Sequence, residues 1–234
     1  MPAATIDHDK FDSIPDTIAA FRNGEFIVVL DDPGRENEGD LIIAAAGVTT
    51  EQMAFMVRHS SGLVCAPLPP ALAESLRLPQ MVPDNEDPRG TAYTLSVDAA
   101  DAAVTTGISA HDRALTVRRL ADPGATPDSF RRPGHVFPLR ARPGGVRARP
   151  GHTEAAVDFC RLAGLRTHAA AICEIVDDGD EVAGQAVRRG PGMLRGEGCI
   201  AFARRWGLRV CTIEDLVGYI EKTEGKLGAN GPGS

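Results

Sequence analysis

Short apolar runs recur along the chain, separated by turn residues or by segments with a helical pattern. Four of them predict buried strands: FIVVL (26–30), LIIAAAG (41–47), AAAICEIV (169–176) and LRVCTI (208–213). A fifth segment, AYTLSV (92–97), alternates apolar and polar side chains, which is typical of a strand with one buried face. The apolar material of the chain therefore lies mainly in strands.

Capping residues mark the predicted helices between these runs. Ser109 has Asp112 three residues later, which predicts a capping box at the start of a helix of about three turns. Thr212 is the predicted cap of the last helix. The other predicted helices cover 15–22, 51–59, 69–77, 151–164 and 199–206.

Helices and strands in this mixed order predict an α+β fold, a layered α/β arrangement with helices flanking one mixed sheet. Neither a linker rich in Gly, Ser and Pro nor an internal repeat divides the sequence. We expect a single domain over 12–222, a flexible N-terminus over 1–11 and a disordered, Gly-rich tail over 223–234.

Charge and composition exclude several classes of function. A net charge of −7 argues against nucleic-acid binding, which needs a basic face. No apolar run reaches the roughly 18 residues of a membrane span, and the N-terminal segment lacks the apolar core of a secretory signal. The five cysteines contain no C-x-x-C pair, which indicates reduced thiols and a cytoplasmic location.

The stretch DDPGRENEGDL (31–41) places five carboxylates between two predicted strands. Pro33 and Gly34 fit the central positions of a type II turn. If the rest is extended, Glu36, Glu38 and Asp40 point to the same side, where they repel each other unless a cation lies among them. A divalent metal is one interpretation. A solvated acidic loop is the other.

The segment 131–149 reverses the charge of the chain, with six arginines and no acid. Its prolines and glycines predict a loop-rich region that either binds a small anion or is simply a solvated basic loop. Arg149, Gly151, His152 and Thr153 then form the start of a predicted helix, where free N–H groups favour a phosphate. His152 can offer a neutral imidazole to a metal, or be structural.

Three further residues are candidates for chemistry. Glu174 lies in an apolar strand, so it either reaches a sheet edge or is a buried acid suited to proton transfer. Cys65 follows a Gly turn and is a reactive thiol or a core residue. His135 is a loop histidine among arginines. Together with the acid cluster, these residues predict a divalent-metal enzyme acting on a phosphorylated carbonyl compound.

Seven motifs, taken in order, resemble the 3,4-dihydroxy-2-butanone 4-phosphate synthase family over roughly residues 12–222: DDPGRENEGDLI, SSGLVC, TTGISAHDRALT, RRPGHVFPLRA, GHTEAAVD, CEIV and TIEDLVGYI. The resemblance implies an α+β lyase, in its monofunctional form, that acts on D-ribulose 5-phosphate in riboflavin biosynthesis. It also implies Mg²⁺ or Mn²⁺ as cofactor and a homodimer with shared active sites.

The same resemblance implies roles for individual residues. Glu36 and His152 correspond to the metal ligands. Catalytic roles, including acid–base or positioning roles, fall on Glu38, Asp40, Cys65, His135 and Glu174. Substrate contacts fall on Arg35, Glu36, Asp40, Thr106, Arg149, Pro150, Gly151, His152, Thr153 and Glu174. His135 and the Thr105–Thr106 region are expected to reach the active site of the other subunit.

Two features depart from the family pattern. Pro150 replaces a glycine before Gly151, which stiffens the loop and removes one N–H donor. Residues 177–198 are longer than expected, and their glycines and charges predict a surface excursion. Two other functions stay open on the sequence alone: a metal-dependent pentose-phosphate isomerase or aldolase, and a non-catalytic anion-binding protein that retains the fold.

Overall fold

The computed structural model describes residues 10–227. Seven strands form one mixed sheet in the order β11-β1-β2-β6-β3-β5-β4. The strands are β1 (Ile27–Leu30), β2 (Gly39–Ala44), β3 (Cys65–Leu68), β4 (Val97–Ala99), β5 (Phe130–Arg140), β6 (Ala170–Glu174) and β11 (Arg209–Thr212). The pairs β1–β11 and β3–β5 are parallel and the others antiparallel, so the predicted mixed sheet and α+β class are confirmed.

Helices cover both faces of this sheet, which explains why its strands are almost continuously apolar. The helices are α1 (Ile14–Arg22), α2 (Thr50–His59), α3 (Pro70–Ser75), α4 (Ala110–Leu120), α5 (His152–Leu162), α6 (Glu197–Trp206) and α7 (Ile213–Glu224). Val28 points into a core with α2, α4 and α6, whereas its neighbours Ile27 and Val29 point into a second core with α1, α5 and α7.

Most helix starts agree with the sequence. Ser109 accepts a hydrogen bond from the backbone N–H of Asp112, and Thr212 accepts one from the backbone N–H of Asp215. The reciprocal half of the predicted capping box, a bond from the Ser109 N–H to the Asp112 side chain, does not form. The Asp112 carboxylate instead accepts hydrogen bonds from Thr105 and from the backbone N–H of Gly107.

The prediction of a loop-rich basic segment was wrong in its first half. Residues 130–140 form β5, the longest strand of the sheet, although they contain Pro133 and Pro138. A register shift between β5 and β4 lies beside Pro133, where a missing N–H is tolerated. The predicted strand at 92–97 is also corrected, because β4 covers only Val97–Ala99 and the preceding residues make isolated bridges.

The turn in the acid stretch forms where it was expected, with a different geometry. The backbone N–H of Arg35 donates to the carbonyl of Asp32 at 2.8 Å. Gly34 does not have the positive φ of a type II turn, so that prediction was wrong. The left-handed residue is Asn37, with φ of 55°, which reverses the chain just before β2.

The excursion at 177–198 contains two short strand pairs. Strand β7 (Val176–Asp177) pairs with β10 (Gly192–Met193), and β8 (Asp180–Glu181) pairs with β9 (Arg188–Arg189). Most of these residues are exposed, which agrees with the predicted surface excursion.

The predicted flexible N-terminus lies almost entirely outside the described residues, as does most of the predicted tail. Helix α7 continues through Glu224, so order extends slightly past the expected boundary at 222. Over the described residues, 10–227, the structure has no helix with the length and apolar character needed to cross a membrane. The cytoplasmic location stays a prediction from the sequence.

Candidate active site

The acid stretch, the end of β6 and the start of α5 meet at one cavity of about 200 Å³. The sheet register explains this meeting, because Asp40 at the start of β2 lies directly opposite Glu174 at the end of β6. Nine of the residues predicted from the sequence line the cavity: Arg35, Glu36, Glu38, Asp40, Cys65, Arg149, His152, Thr153 and Glu174.

Asp40 is the most electrostatically unusual group in this cavity. Burial raises the pKa of its carboxyl well above the usual range, and the negative charge of Glu174 raises it further. Its Oδ1 atom is buried without a hydrogen-bond partner. A carboxyl with a raised pKa keeps its proton to higher pH than a free carboxyl, which suits proton transfer, and the unpartnered oxygen suits a contact with a bound cation.

Asp31 organises the turn that presents the other carboxylates. It accepts hydrogen bonds from the backbone N–H groups of Glu36 and Glu38, at 3.2 and 2.9 Å. The guanidinium of Arg35 reaches Asp31 at 2.6 Å and Glu36 at 2.5 Å. These contacts offset the repulsion between carboxylates that stand close together.

His152 is oriented by the strand below it. Its Nε2 atom lies 3.1 Å from the carbonyl oxygen of Val29, and its Nδ1 atom lies 3.8 Å from Oδ1 of Asp40. Burial lowers the pKa of His152, so the imidazole is neutral near pH 7. With Nε2–H donating to Val29, the lone pair of Nδ1 is available to the carboxylate side.

Asp31, Glu36 and His152 can each offer a ligand atom, and these atoms lie within 4.8 Å of one another. Two carboxylates and a neutral imidazole suit Mg²⁺ or Mn²⁺. The unpartnered Oδ1 of Asp40 beside them adds a further oxygen that a cation or its water could satisfy. The donor set therefore fits a divalent metal, and it includes Asp31, which the sequence had not singled out.

Another part of the cavity wall carries Arg149 and Thr153. The Arg149 guanidinium donates to Glu154 at 2.6 Å and to the carbonyl of Arg89 at 3.1 Å, so its position is fixed. Thr153 lies in the first turn of α5, close to the free N–H groups of the helix start. This combination is suited to an anion such as a phosphate.

Gly151 and Pro150 support this wall without lining the cavity. Gly151 is the N-cap of α5, and a Cβ there would lie only 2.5 Å from Nη1 of Arg149. A glycine at this position therefore allows the arginine to lie across the backbone. Pro150 is exposed.

Two residues that sequence reasoning placed at the site lie elsewhere in the chain's own fold. His135 on β5 pairs with Asp98 on β4, with Nδ1 to Oδ2 at 2.8 Å. Thr106 is exposed in the neighbouring loop, next to Thr105, whose hydroxyl donates to Asp112. Neither lines the cavity.

Cys65 begins β3 and lies within the cavity wall. Burial raises the pKa of its thiol well above the usual range, and the charge of Glu174 adds to this effect. The residue is therefore a neutral thiol near pH 7. That state favours a positioning role over nucleophilic chemistry.

Four lining residues with polar side chains were missed altogether: Asp87, Arg89, Thr91 and Tyr93. They belong to a largely exposed polar segment before β4, where no spacing or motif marks them. Asp31 was also missed, because the sequence does not distinguish it from the adjacent Asp32, and only its burial in the structure separates the two.

Comparisons with known proteins identify the family of the chain. A family model described as 3,4-dihydroxy-2-butanone 4-phosphate synthase matches residues 15–219. The chain is 70% identical to 3,4-dihydroxy-2-butanone 4-phosphate synthase of Pyricularia oryzae over 234 residues, the full length of both.

Solved structures of the same family are also similar to this chain. A crystal structure of 3,4-dihydroxy-2-butanone 4-phosphate synthase in complex with two magnesium ions has a TM-score of 0.91 at 72% identity, covering 93% of this chain and 100% of that one. The cation-free form has a TM-score of 0.88 at 70% identity, covering 92% and 100%. The chain therefore belongs to the 3,4-dihydroxy-2-butanone 4-phosphate synthase family, whose members are lyases of riboflavin biosynthesis.

Proposed function

We propose that the cavity between β2, β6 and α5 is where this chain carries out the reaction of its family. That reaction converts D-ribulose 5-phosphate to L-3,4-dihydroxy-2-butanone 4-phosphate and formate. The observation that carries the proposal is the convergence of Asp31, Glu36 and His152, because Glu36 and His152 line the cavity that also contains Arg149 and Thr153.

Substrate binding divides between the two walls of the cavity. Arg149 and Thr153, with the backbone N–H groups at the start of α5, bind the phosphate. This places the carbonyl end of the sugar near the carboxylates. Arg89 and Thr91, which hold the Arg149 guanidinium, fix the distance between the two ends of the substrate.

The metal would be held by Glu36 and His152, with Asp31 as a further ligand or as the group that orients Glu36. Mg²⁺ or Mn²⁺ at this position would supply positive charge for the oxygens that become negative during the reaction. Magnesium is present in one solved relative, described as a complex with two magnesium ions. Both ions accept this donor set, so either could serve this chain.

The remaining carboxyl groups move protons. Enolisation requires a base beside the carbonyl, and Glu38 and Glu174 line the cavity on that side. Loss of the C1 hydroxyl requires a proton donor, and Asp40 is suited to this role because burial raises its pKa. The neutral thiol of Cys65 packs against this group of acids and limits the water among them.

We also propose that the active form is a homodimer in which His135 and Thr106 complete the site of the partner subunit. Both residues lie outside the cavity of their own chain, although the family motifs give them roles at the site. The His135–Asp98 pair is rigid, because Asp98 also accepts the backbone N–H of His135 at 2.9 Å. A rigid, partly exposed histidine is suited to contact a site on another surface.

Formate release tests the proposed reaction. The protein is incubated with D-ribulose 5-phosphate and Mg²⁺, with and without EDTA, and formate and a four-carbon phosphate are quantified. Equal amounts of both products, formed only with metal, are expected from this proposal. An isomerase or aldolase would consume substrate without formate, and a non-catalytic protein would leave it intact.

A further inference from the structure

The excursion at 177–198 returns to the acid stretch. After the short strand pairs, the backbone N–H of Leu194 donates to the carbonyl of Ile175 at 3.0 Å. The next residue, Arg195, forms an isolated antiparallel bridge with Glu38. The excursion therefore lies beside one of the carboxylates that line the cavity, although Arg195 is not itself part of the lining.

The side chains of these two residues also meet. Nη2 of Arg195 lies 3.1 Å from Oε1 of Glu38. The Arg195 side chain is 58% exposed, whereas that of Glu38 is only 17% exposed. Arg195 thus approaches Glu38 from the solvent side while the carboxylate faces the cavity.

The backbone on which Glu38 stands is already fixed. Its N–H donates to Oδ1 of Asp31, and its carbonyl accepts the N–H of the same residue at 3.1 Å. Gly39 packs closely on the side chain of Cys199, a buried residue of α6, so α6 lies directly against the start of β2. With the main chain held, the remaining freedom of Glu38 lies in its side-chain torsions.

We propose that Arg195 is a positioning residue, which holds the Glu38 carboxylate in the orientation needed for proton transfer. The excursion brings this arginine into contact with the acid stretch. Arg35 forms ion pairs with Asp31 and Glu36, and Arg195 forms one with Glu38. Each of these three carboxylates therefore has an arginine partner that can orient it. This inference rests on the proposed function, because Glu38 needs positioning only if it moves a proton.

Arg188 provides a matched control within the same excursion. Its guanidinium donates to the carbonyls of Asp178 and Gly179, at 3.0 and 2.8 Å, and it is exposed. Replacing it with alanine removes the same charge and the same volume without touching Glu38. Both arginine side chains are exposed and contribute little to folding, so Arg195→Ala and Arg188→Ala should melt at the same temperature as wild type.

The test measures kcat and KM for formate release from D-ribulose 5-phosphate. Arg195→Ala should lower kcat by about 10- to 100-fold, as loss of an orienting partner does. KM should change by less than about threefold, because the phosphate contacts are intact. Arg195→Lys should restore part of kcat, and Arg188→Ala should behave like wild type.

A double-mutant cycle separates positioning of Glu38 from a general effect of the excursion. If Arg195 acts through Glu38, then adding Arg195→Ala to Glu38→Gln causes no further loss of kcat. Losses that multiply in the double variant, or an Arg195→Ala variant as active as Arg188→Ala, would overturn the inference. Amide hydrogen exchange at residues 36–39 gives a readout without substrate. It should be the same in Arg195→Ala and Arg188→Ala, because Asp31 holds this main chain, and faster exchange in Arg195→Ala would indicate a general loosening of the acid stretch instead of a lost orientation of Glu38.

The wild-type assay distinguishes failure of this inference from failure of the proposed function. A wild-type protein that releases no formate, with metal present, would remove the reaction and with it the need for a positioned Glu38. Wild-type activity combined with equal rates for the two arginine variants would remove only the role of Arg195.

Discussion

Nε2 of His152 lies 3.1 Å from the carbonyl oxygen of Val29, and this contact decides which ring nitrogen faces the carboxylates. A histidine that ligates a metal generally donates its other N–H to a carbonyl or carboxylate. Here the partner is a main-chain oxygen of β1, which is paired on both sides in the sheet. The imidazole of His152 is therefore oriented by the main chain of the sheet.

This arrangement predicts that Glu36 and His152 both determine metal affinity. Glu36→Gln and His152→Asn should each weaken Mn²⁺ binding by at least about 10-fold, because each removes one ligand atom of the group within 4.8 Å. Electron paramagnetic resonance of free Mn²⁺ during a titration measures this directly. Glu25→Gln, an exposed carboxylate remote from the cavity lining, should bind like wild type. Unchanged affinity in either site variant would remove that residue from the ligand set.

The raised pKa of Asp40 predicts a pH-dependent stability in EDTA. The unfolded chain ionises this carboxyl near pH 4, whereas the folded protein retains the proton to higher pH. The folded protein is therefore destabilised as the pH rises from the pKa of this carboxyl in the unfolded chain towards its higher pKa in the folded protein. Asp40→Asn should remove the loss, so its melting temperature should exceed that of wild type at pH 8 and match it at about pH 4.

Melting curves from pH 4 to pH 8 test this difference. Asp128→Asn, on the exposed 3₁₀ turn before β5, provides the control and should follow wild type throughout. If Asp40→Asn is less stable than wild type at pH 8, Asp40 is ionised in the folded protein and cannot be the proton donor proposed here.

Local patterns in the sequence predicted a mixed sheet flanked by helices and most helix ends, because these depend on neighbouring residues. They failed where contacts between distant parts of the chain determine whether a segment forms a strand or a loop. Strand β5 contains Pro133 and Pro138, which argue locally for a loop, yet it pairs with β3 on one side and β4 on the other. Its two partners come from distant parts of the sequence, and no local pattern encodes that pairing.

The candidate site shows the same division. Glu36, His152 and Glu174 could be predicted because motifs carry them, and the structure brings them to one cavity. Asp31 and Asp32 are adjacent carboxylates that the sequence does not distinguish. Burial against Arg35 selects Asp31, with its side chain fully enclosed in the structure. Arg89 comes from an exposed loop and reaches the cavity only through tertiary folding.

The position of Gly151 predicts a substrate-binding defect caused by a single methyl group. In Gly151→Ala the new Cβ would lie 2.5 Å from Nη1 of Arg149, so the guanidinium must move away from the helix start. KM for D-ribulose 5-phosphate should rise by about 10-fold or more, with a smaller change in kcat. Gly47→Ala is the matched control, because a Cβ there meets no atom within 4 Å. Equal KM values for the two variants would show that Arg149 does not contact the substrate.

Complementation between two inactive variants tests whether active sites are shared across a homodimer. Glu36→Gln disables the metal side of the cavity, and His135→Ser disables a residue that lies outside it. In a mixed dimer, one site combines both defects and the other has neither. Random mixing should therefore restore about one quarter of wild-type activity. Coexpression or joint refolding of equal amounts, followed by the formate assay, measures this recovery.

The control pair is Glu36→Gln with His152→Asn. Both residues line the same cavity, so every site in a mixed dimer keeps one defect and no activity should return. Recovery with His135→Ser but not with His152→Asn would assign His135 to the partner's site. Absence of recovery in both mixtures, with dimers present by sedimentation, would mean that His135 acts within its own chain or only through the His135–Asp98 pair that stiffens the edge of the sheet.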